Sequence, residues 1–329
     1  MCSRMMNYLV VAAAAWSMPG SDAFSSPSSP RRLRLLLRPS PSCNPLHAAP
    51  AERVHILATE DDVTKAVHAI VESSAASAIR SRGRFALAIP GGSVLNILST
   101  LAPCGDWPNH TTVIFVNHKC VPIDDVSSAI EAQARAKFID TTWSEYTPSV
   151  VSLDGSGDGA AEAASYERKL RALSTRILPR DDDDDGGFPT IDLALIGVGD
   201  DGHIGSLYPD RDEINITTGP WVVSSYKKDP PGISLSLPVM QRAKRTVIAA
   251  AGRSVKYPNG KSSAMRMAIV DENVTPSTFP ACALRECALW ILDEANGSEM
   301  VDVIGTSTLD KAVAAAAAAA ASAMQQIGD

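Results

Sequence analysis

The residues best equipped for chemistry lie in one short run, Gly197-Val198-Gly199-Asp200-Asp201-Gly202-His203. Glycines let the chain turn sharply at the end of the apolar stretch Ile191-Asp192-Leu193-Ala194-Leu195-Ile196. Two carboxylates follow, and an imidazole comes two residues after Asp201. Imidazoles titrate close to working pH, and a neighbouring carboxylate can orient one and favour its charged form, as a general base taking a proton from water requires. A lone histidine is more often structural, but the glycine turn and the paired acids favour a catalytic reading for His203 and Asp201.

Two other stretches invite attention. Phe85 to Pro90 runs straight into Gly91-Gly92-Ser93 and an apolar helix-period segment. Two glycines let a ligand come close to the backbone, and the N–H groups of a helix start, aided by the Ser93 hydroxyl, suit a phosphate. A plain strand-to-helix turn is the competing reading. This turn carries neither a Walker lysine nor a GxGxxG pattern of its own, so nucleotide binding there is disfavoured. The stretch Phe115-Val116-Asn117-His118-Lys119-Cys120-Val121-Pro122 sets an amide, an imidazole, an ammonium and a thiol side by side. His118, Cys120 and His203 could be combined as zinc ligands, but His118 and Cys120 alone make only two on one strand face, so no metal is expected. Cys120 as a nucleophile would need a lowered thiol pKa, for which Lys119 is a thin warrant.

The elements that must position these residues alternate in kind. Val54 to Leu57, Phe85 to Ile89, Val113 to Val116, Ile191 to Gly197, Thr246 to Ala251 and Ala288 to Leu292 read as buried strands. Between them lie helix-period segments, Asp62 to Arg80, Val94 to Leu101 and Lys261 to Val270. Such a series predicts an α/β fold, a mostly parallel, Rossmann-like sheet with helices on both faces in a single domain. Sheets of this kind bind ligands beyond the carboxyl ends of their strands, where the glycine loops fall.

Residues 1–51 differ from the rest. Arg4, an apolar core from Tyr8 to Trp16, and small residues around Ser21-Asp22-Ala23-Phe24 have the order of a signal peptide. Beyond them Arg31, Arg32, Arg34 and Arg38 sit among Ser, Pro and Leu with no acid, as in transit peptides. The two halves resemble the bipartite leaders of algae with complex plastids, which implies a plastid location; secretion with a linker is the alternative. The apolar core is shorter than the roughly 20 residues of a spanning helix, so no membrane association is expected after leader removal.

The chain carries a net charge of −7, and the leader's five arginines and one aspartate account for +4 of it, leaving −11 on the remainder. So acidic a domain is a poor partner for nucleic acid. Four of the six cysteines, Cys104, Cys120, Cys282 and Cys287, lie outside the leader without ligand-like pairing and read as reduced thiols. Asp181 to Asp185 reads as a solvated loop, and the alanine-rich 312–329 as a terminal helix or tail. Oligomeric state leaves no mark in the sequence.

GVGDDGHIGSLYP, ending at Pro209, resembles the DGHTASLFP signature of the 6-phosphogluconolactonases. The likeness spans residues 52–311: Ile233-Ser234-Leu235-Ser236-Leu237-Pro238-Val239 is similar to the family's RITLTLPV, Gly260-Lys261-Ser262-Ser263-Ala264 to its GKAEA, Phe279-Pro280-Ala281 to its LPA, and Trp290 to Ala295 to its W-x-x-DEA. It implies hydrolysis of 6-phospho-D-glucono-1,5-lactone, a small-molecule sugar phosphate, in the oxidative pentose phosphate pathway and without a cofactor. By that likeness His203 activates water, Asp201 orients it, and Gly91, Gly92, Ser93, Asn117, Lys119, Gly202 and Lys261 form the substrate and phosphate site. The sugar-phosphate deaminase/isomerases, which share the superfamily, carry a glutamate five residues past the histidine, where this chain has Tyr208. Deamination of an amino-sugar phosphate is therefore the runner-up.

One stretch departs from the family. Its acid-acid-arginine trio, DER, falls on Asn117, His118 and Lys119, and the arginine of RITLTLP falls on Gly232. Lys119 keeps positive charge without the two-pronged donor of arginine. His118 would add charge below about pH 6.5, the ordinary imidazole value. A catalytically weakened homologue that binds sugar phosphates is thus a third reading.

Overall fold

The computed structural model describes residues 53–180, 187–253, 255 and 257–314. The leader, the aspartates 181–185 and most of the alanine run lie outside them. Seven strands form a parallel sheet: β1 (Val54–Leu57), β2 (Phe85–Ile89), β3 (Thr111–Phe115), β5 (Ser149–Val150), β6 (Leu193–Ile196), β9 (Thr246–Ala250) and β10 (Ala288–Asp293), in the order β1-β10-β9-β6-β2-β3-β5. Nearly every residue in these strands is buried, which explains why they read as unbroken apolar runs rather than alternating ones. The α/β fold expected from the sequence, one parallel sheet with helices packed around it, is the fold found.

Local sequence accounts for the elements. Helix α1 (Glu60–Arg82) starts where the Thr59 hydroxyl accepts a hydrogen bond from the Asp62 N–H, carries Glu60, Asp61 and Asp62 in its first turn, and ends at Gly83 in the left-handed conformation (φ 72°). Val63, Ala66, Val67, Ile70, Val71, Ser74, Ala75 and Ala78 give it one buried face at helical spacing. Helix α2 (Ser93–Ser99) follows β2, α3 (Ile130–Ala134) and α5 (Leu237–Gln241) are single turns, α4 (Gly159–Ala172) is capped by Asp158, and α6 (Ser262–Ile269) falls inside the expected 261–270. Among the described residues no helix is long and apolar enough to cross a membrane.

The sequence missed a second, antiparallel sheet of β4 (Asn117–Lys119), β8 (Gly232–Leu235) and β7 (Val222–Ser225). The chain changes sheets at Val116, whose N–H donates to the Ile89 carbonyl at 2.8 Å while its own carbonyl accepts from the Leu235 N–H at 2.8 Å. FVNHKCVP is therefore not simply the end of a parallel strand.

Strand order runs outward from β2 through β3 in one direction and from β6 through β9 and β10 in the other. The switch lies between β2 and β6, paired at Leu87↔Leu193 and Ala88↔Ala194. A crevice beyond the carboxyl ends of the strands is expected at such a point. Just below it, both Asp192 carboxylate oxygens lie 2.7 Å from Arg82 Nη2, and Oδ2 also accepts the Ala86 N–H at 2.9 Å, tying β2 to the start of β6.

Candidate active site

Beyond β6 the chain folds back on itself. Gly199 N–H donates to the His203 carbonyl at 2.9 Å, and Gly202 N–H to the Gly199 carbonyl at 3.1 Å. Gly202 holds φ at 81°, and a Cβ there would run into the Phe279 ring. The Gly202 carbonyl accepts from the Ala281 N–H at 2.8 Å, so the Phe279-Pro280-Ala281 segment backs the loop. Gly199 is required for a different reason: a Cβ there would overlap the His203 ring and come within 2.7 Å of Asp201 Oδ1.

This packing brings the two expected catalytic residues together. His203 Nδ1 lies 2.5 Å from Asp201 Oδ1, which also accepts the His203 backbone N–H at 3.2 Å. Burial alone would raise the Asp201 carboxyl, but the hydrogen bonds from the His203 ring and backbone outweigh it and hold the group below the usual carboxylate range. An ionised carboxylate takes the proton-bearing nitrogen, so Nδ1 carries the hydrogen and Nε2 keeps its lone pair. The His203 side chain is one-quarter exposed, enough to meet water.

Gly91, Gly92 and Ser93 follow β2, the strand beside β6, so the two glycine loops leave neighbouring strand ends. Gly92 caps α2 with φ 80°, and a Cβ on it would meet nothing within 4 Å. Ser93 is exposed at the first turn. Lys261 opens α6 and reaches the same loop from the far side: Nζ donates to the Val198 carbonyl at 2.7 Å and its backbone N–H to Asn296 Oδ1 at 2.8 Å. Its ammonium thus steadies the turn before Gly199.

The trio divides. Side chains alternate across a strand, so Asn117 and Lys119 share one face of β4 and His118 takes the other. Lys119 is exposed and registers against Gly232 of β8, while Asn117 is half-buried and registers against Ser234. His118 is 1% exposed. Burial pulls its pKa below the ordinary histidine value, against the opposing pull of Glu162 and Glu131. Charge gain at His118 in mildly acidic solution is therefore not available to the site, contrary to the sequence expectation. Cys120 is likewise buried and its thiol is pushed up to about 12, which excludes it as a nucleophile near neutral pH. Among the described residues no three of His, Cys, Asp and Glu gather as metal ligands, so His118 and Cys120 are not completed into a zinc site by His203.

Two residues were not foreseen as neighbours of this site: Tyr208, read only as the residue in the glutamate's place, and Lys228. The Tyr208 ring packs on the His203 ring with centroids 4.8 Å apart, and Lys228 Nζ lies 4.8 Å from the Tyr208 centroid. Tyr208 was visible as the aromatic of SLYP. Lys228 lies twenty residues further on with no local motif, and only the folding of the segment between β7 and β8 brings it here.

Residues 58–292 match the family described as glucosamine-6-phosphate isomerases/6-phosphogluconolactonase. A 6-phosphogluconolactonase of Rattus norvegicus is 28% identical over 270 residues, covering 75% of this chain and 94% of its own length. One from a Nostoc strain is 27% identical over 228 residues, covering 68% and 88%. Among solved structures, a 6-phosphogluconolactonase from Trypanosoma cruzi superposes with a TM-score of 0.63 at 16% identity, covering 75% of this chain and 96% of that one. The enzyme from Leishmania guyanensis gives 0.58 at 22%, covering 74% and 97%.

Proposed function

This chain belongs to the glucosamine-6-phosphate isomerase/6-phosphogluconolactonase family, and from that premise we propose that it hydrolyses 6-phospho-D-glucono-1,5-lactone to 6-phosphogluconate in the oxidative pentose phosphate pathway. The observation that carries the reading is the 2.5 Å contact between His203 Nδ1 and Asp201 Oδ1 at the strand-order switch. A water bonded to Nε2 gives its proton to the imidazole as its oxygen attacks the lactone carbonyl carbon. The carbonyl oxygen takes up negative charge, for which N–H donors of the glycine loops, Gly202 and the Gly91-Gly92-Ser93 turn, are the available partners. Collapse breaks the bond to the ring oxygen, which receives the proton from the imidazolium, and the ring opens to the acid. Asp201 holds the imidazole and stabilises its charged form during the step. Asn117, Lys119 and Lys261 bind the sugar hydroxyls and the phosphate.

Deamination of an amino-sugar phosphate is supported less well, because the position five residues past His203 holds the Tyr208 ring packed on the imidazole rather than a carboxylate. The experiment is a rate measurement: purified protein should open the lactone faster than the spontaneous reaction, and His203→Ala should abolish the gain. No acceleration at neutral pH refutes the reading. Saturable binding of sugar phosphates without turnover would replace it with the binding-protein reading. We further propose that residues 1–51 direct the chain to a plastid; a reporter fused behind them and found in the secretory route would exclude this.

A further inference from the structure

We propose that Lys228, in the hairpin between β7 and β8, supplies a further cation for the substrate's phosphate beside Lys119 and Lys261, in place of an arginine at the start of β8. The inference rests on the proposed sugar-phosphate substrate and goes beyond it in assigning the anion site of this chain to a residue outside every motif.

Steric fit on β8 comes first. Gly232 opens that strand in register with Lys119. A Cβ at 232 would lie 2.8 Å from Ser206 Oγ and 3.2 Å from the His118 carbonyl oxygen, so any side chain there must turn the Ser206 hydroxyl aside and crowd the β4 backbone. The start of β8 is packed for a residue without a side chain. Lys261, the cation at α6, already donates to the Val198 carbonyl at 2.7 Å. A dianionic phosphate can take a further positive group beside Lys119 and Lys261.

Lys228 is placed to be that group. Its ammonium sits over the Tyr208 ring at 4.8 Å, within cation–π range, and the ring lies 4.8 Å from the His203 ring, so the two steps bound the ammonium to about 9.6 Å from the imidazole. A separation within that limit is within the reach of a hexose-sized molecule whose carbonyl meets His203 at one end and whose phosphate meets the lysine at the other. The hairpin is fastened at both ends: the Tyr226 hydroxyl accepts from the Ala160 N–H at 3.0 Å, and the Pro231 carbonyl accepts from the Cys120 N–H at 2.8 Å. The latter bond joins it to β4, next to Lys119, the residue in register with Gly232. The ammonium remains exposed, and a compact cation on a flexible stem can turn from the ring to a phosphate oxygen.

The test compares full-length wild type, Lys228→Ala, Lys228→Arg and Lys227→Ala. Calorimetric binding of 6-phosphogluconate should weaken about tenfold in Lys228→Ala, as expected for loss of one charged contact, and survive in Lys228→Arg and Lys227→Ala. KM for the phosphorylated lactone should rise by a similar factor with kcat little changed, and kcat/KM for unphosphorylated gluconolactone should not move. Equal 6-phosphogluconate affinity in wild type and Lys228→Ala overturns the proposal. So does an equal loss on both lactones, which would make Lys228 a support for the Tyr208–His203 stack. If wild type turns over neither lactone, the proposed reaction fails by itself, while the binding comparison still decides the role of Lys228.

Discussion

His118→Glu restores the acid that the family's DER trio carries at this position, and it is expected to destabilise the chain. His118 is 1% exposed on the inner face of β4, within the field of Glu162 and Glu131. Both carboxylates hold the 152–156 segment: Glu162 accepts the N–H groups of Asp154 and Ser156 at 2.8 Å each, and Glu131 accepts the Leu153 N–H at 3.1 Å and the Ser152 hydroxyl at 2.9 Å while also pairing with Arg135 at 3.0 Å. A third carboxyl in that pocket loses hydration and meets two like charges, and both effects favour its neutral form. Raised from about 4.3 in the unfolded chain to about 7 in the fold, it costs about 3.5 kcal/mol at pH 8. For a domain of this size that lowers Tm by about 7–14 °C.

The pH dependence has a definite sign. In wild type the folded His118 pKa is depressed, so between it and about 6.5 the unfolded chain binds more protons, and stability is full above that range and falls on acidification. The variant's penalty shrinks as the solution approaches its unfolded carboxyl value. The two proteins should therefore converge between pH 8 and pH 5.5. Urea unfolding followed by the fluorescence of the buried Trp143, Trp221 and Trp290 measures both. A variant as stable as wild type at pH 8, or a gap that widens at pH 5.5, refutes the reasoning. A cycle with Glu162→Gln should show the two changes to be non-additive by about 1 kcal/mol or more.

Asp201→Asn removes a charge-assisted bond worth about 2 kcal/mol at a half-exposed carboxylate and should lower kcat about 30-fold in initial rates corrected for spontaneous opening. Because the amide N–H can donate into Nδ1 and hold the unproductive tautomer, Asn should be no better than Ala; a more active Asn variant would refute the orienting role. Gly199→Ala pushes the imidazole out of place and should cut kcat by about 100-fold while the protein still folds, as seen by circular dichroism, since misplacement of about 1 Å is enough. Asp192→Ala leaves the Arg82 guanidinium largely buried without its partner and should cost about 3 kcal/mol in urea unfolding, with KM of the remaining folded enzyme unchanged.

The His203–Asp201 pair was legible because it is local: two residues and a glycine turn decide its geometry, and no distant element need be known. The strands were legible for a related reason, since burial on both faces leaves continuous apolar runs that need no knowledge of the partner strand. The helix bounds shifted by a residue or two because caps such as Thr59 and Gly83 lie outside the apolar period. Phe279 was legible as part of a motif but not as the ring that forbids a Cβ on Gly202.

FVNHKCVP shows where such reading stops. Its residue types were plain, but which of them faces the crevice depends on β4 pairing with β8, more than a hundred residues away, through bonds such as Leu235 N–H to the Val116 carbonyl. That pairing turns His118 inward and Lys119 outward, and no local property of the stretch chooses between the two faces. Lys228 over Tyr208 and Lys261 on Val198 are of the same kind, contacts across twenty and sixty-three residues. The sequence by itself determined the alternation of elements and the local acid–imidazole pair, because backbone geometry over a few residues is enough for both. Only the tertiary structure decided that Lys228 lies over Tyr208 and Lys261 on the Val198 carbonyl, because their positions follow from how separate strands and a hairpin pack.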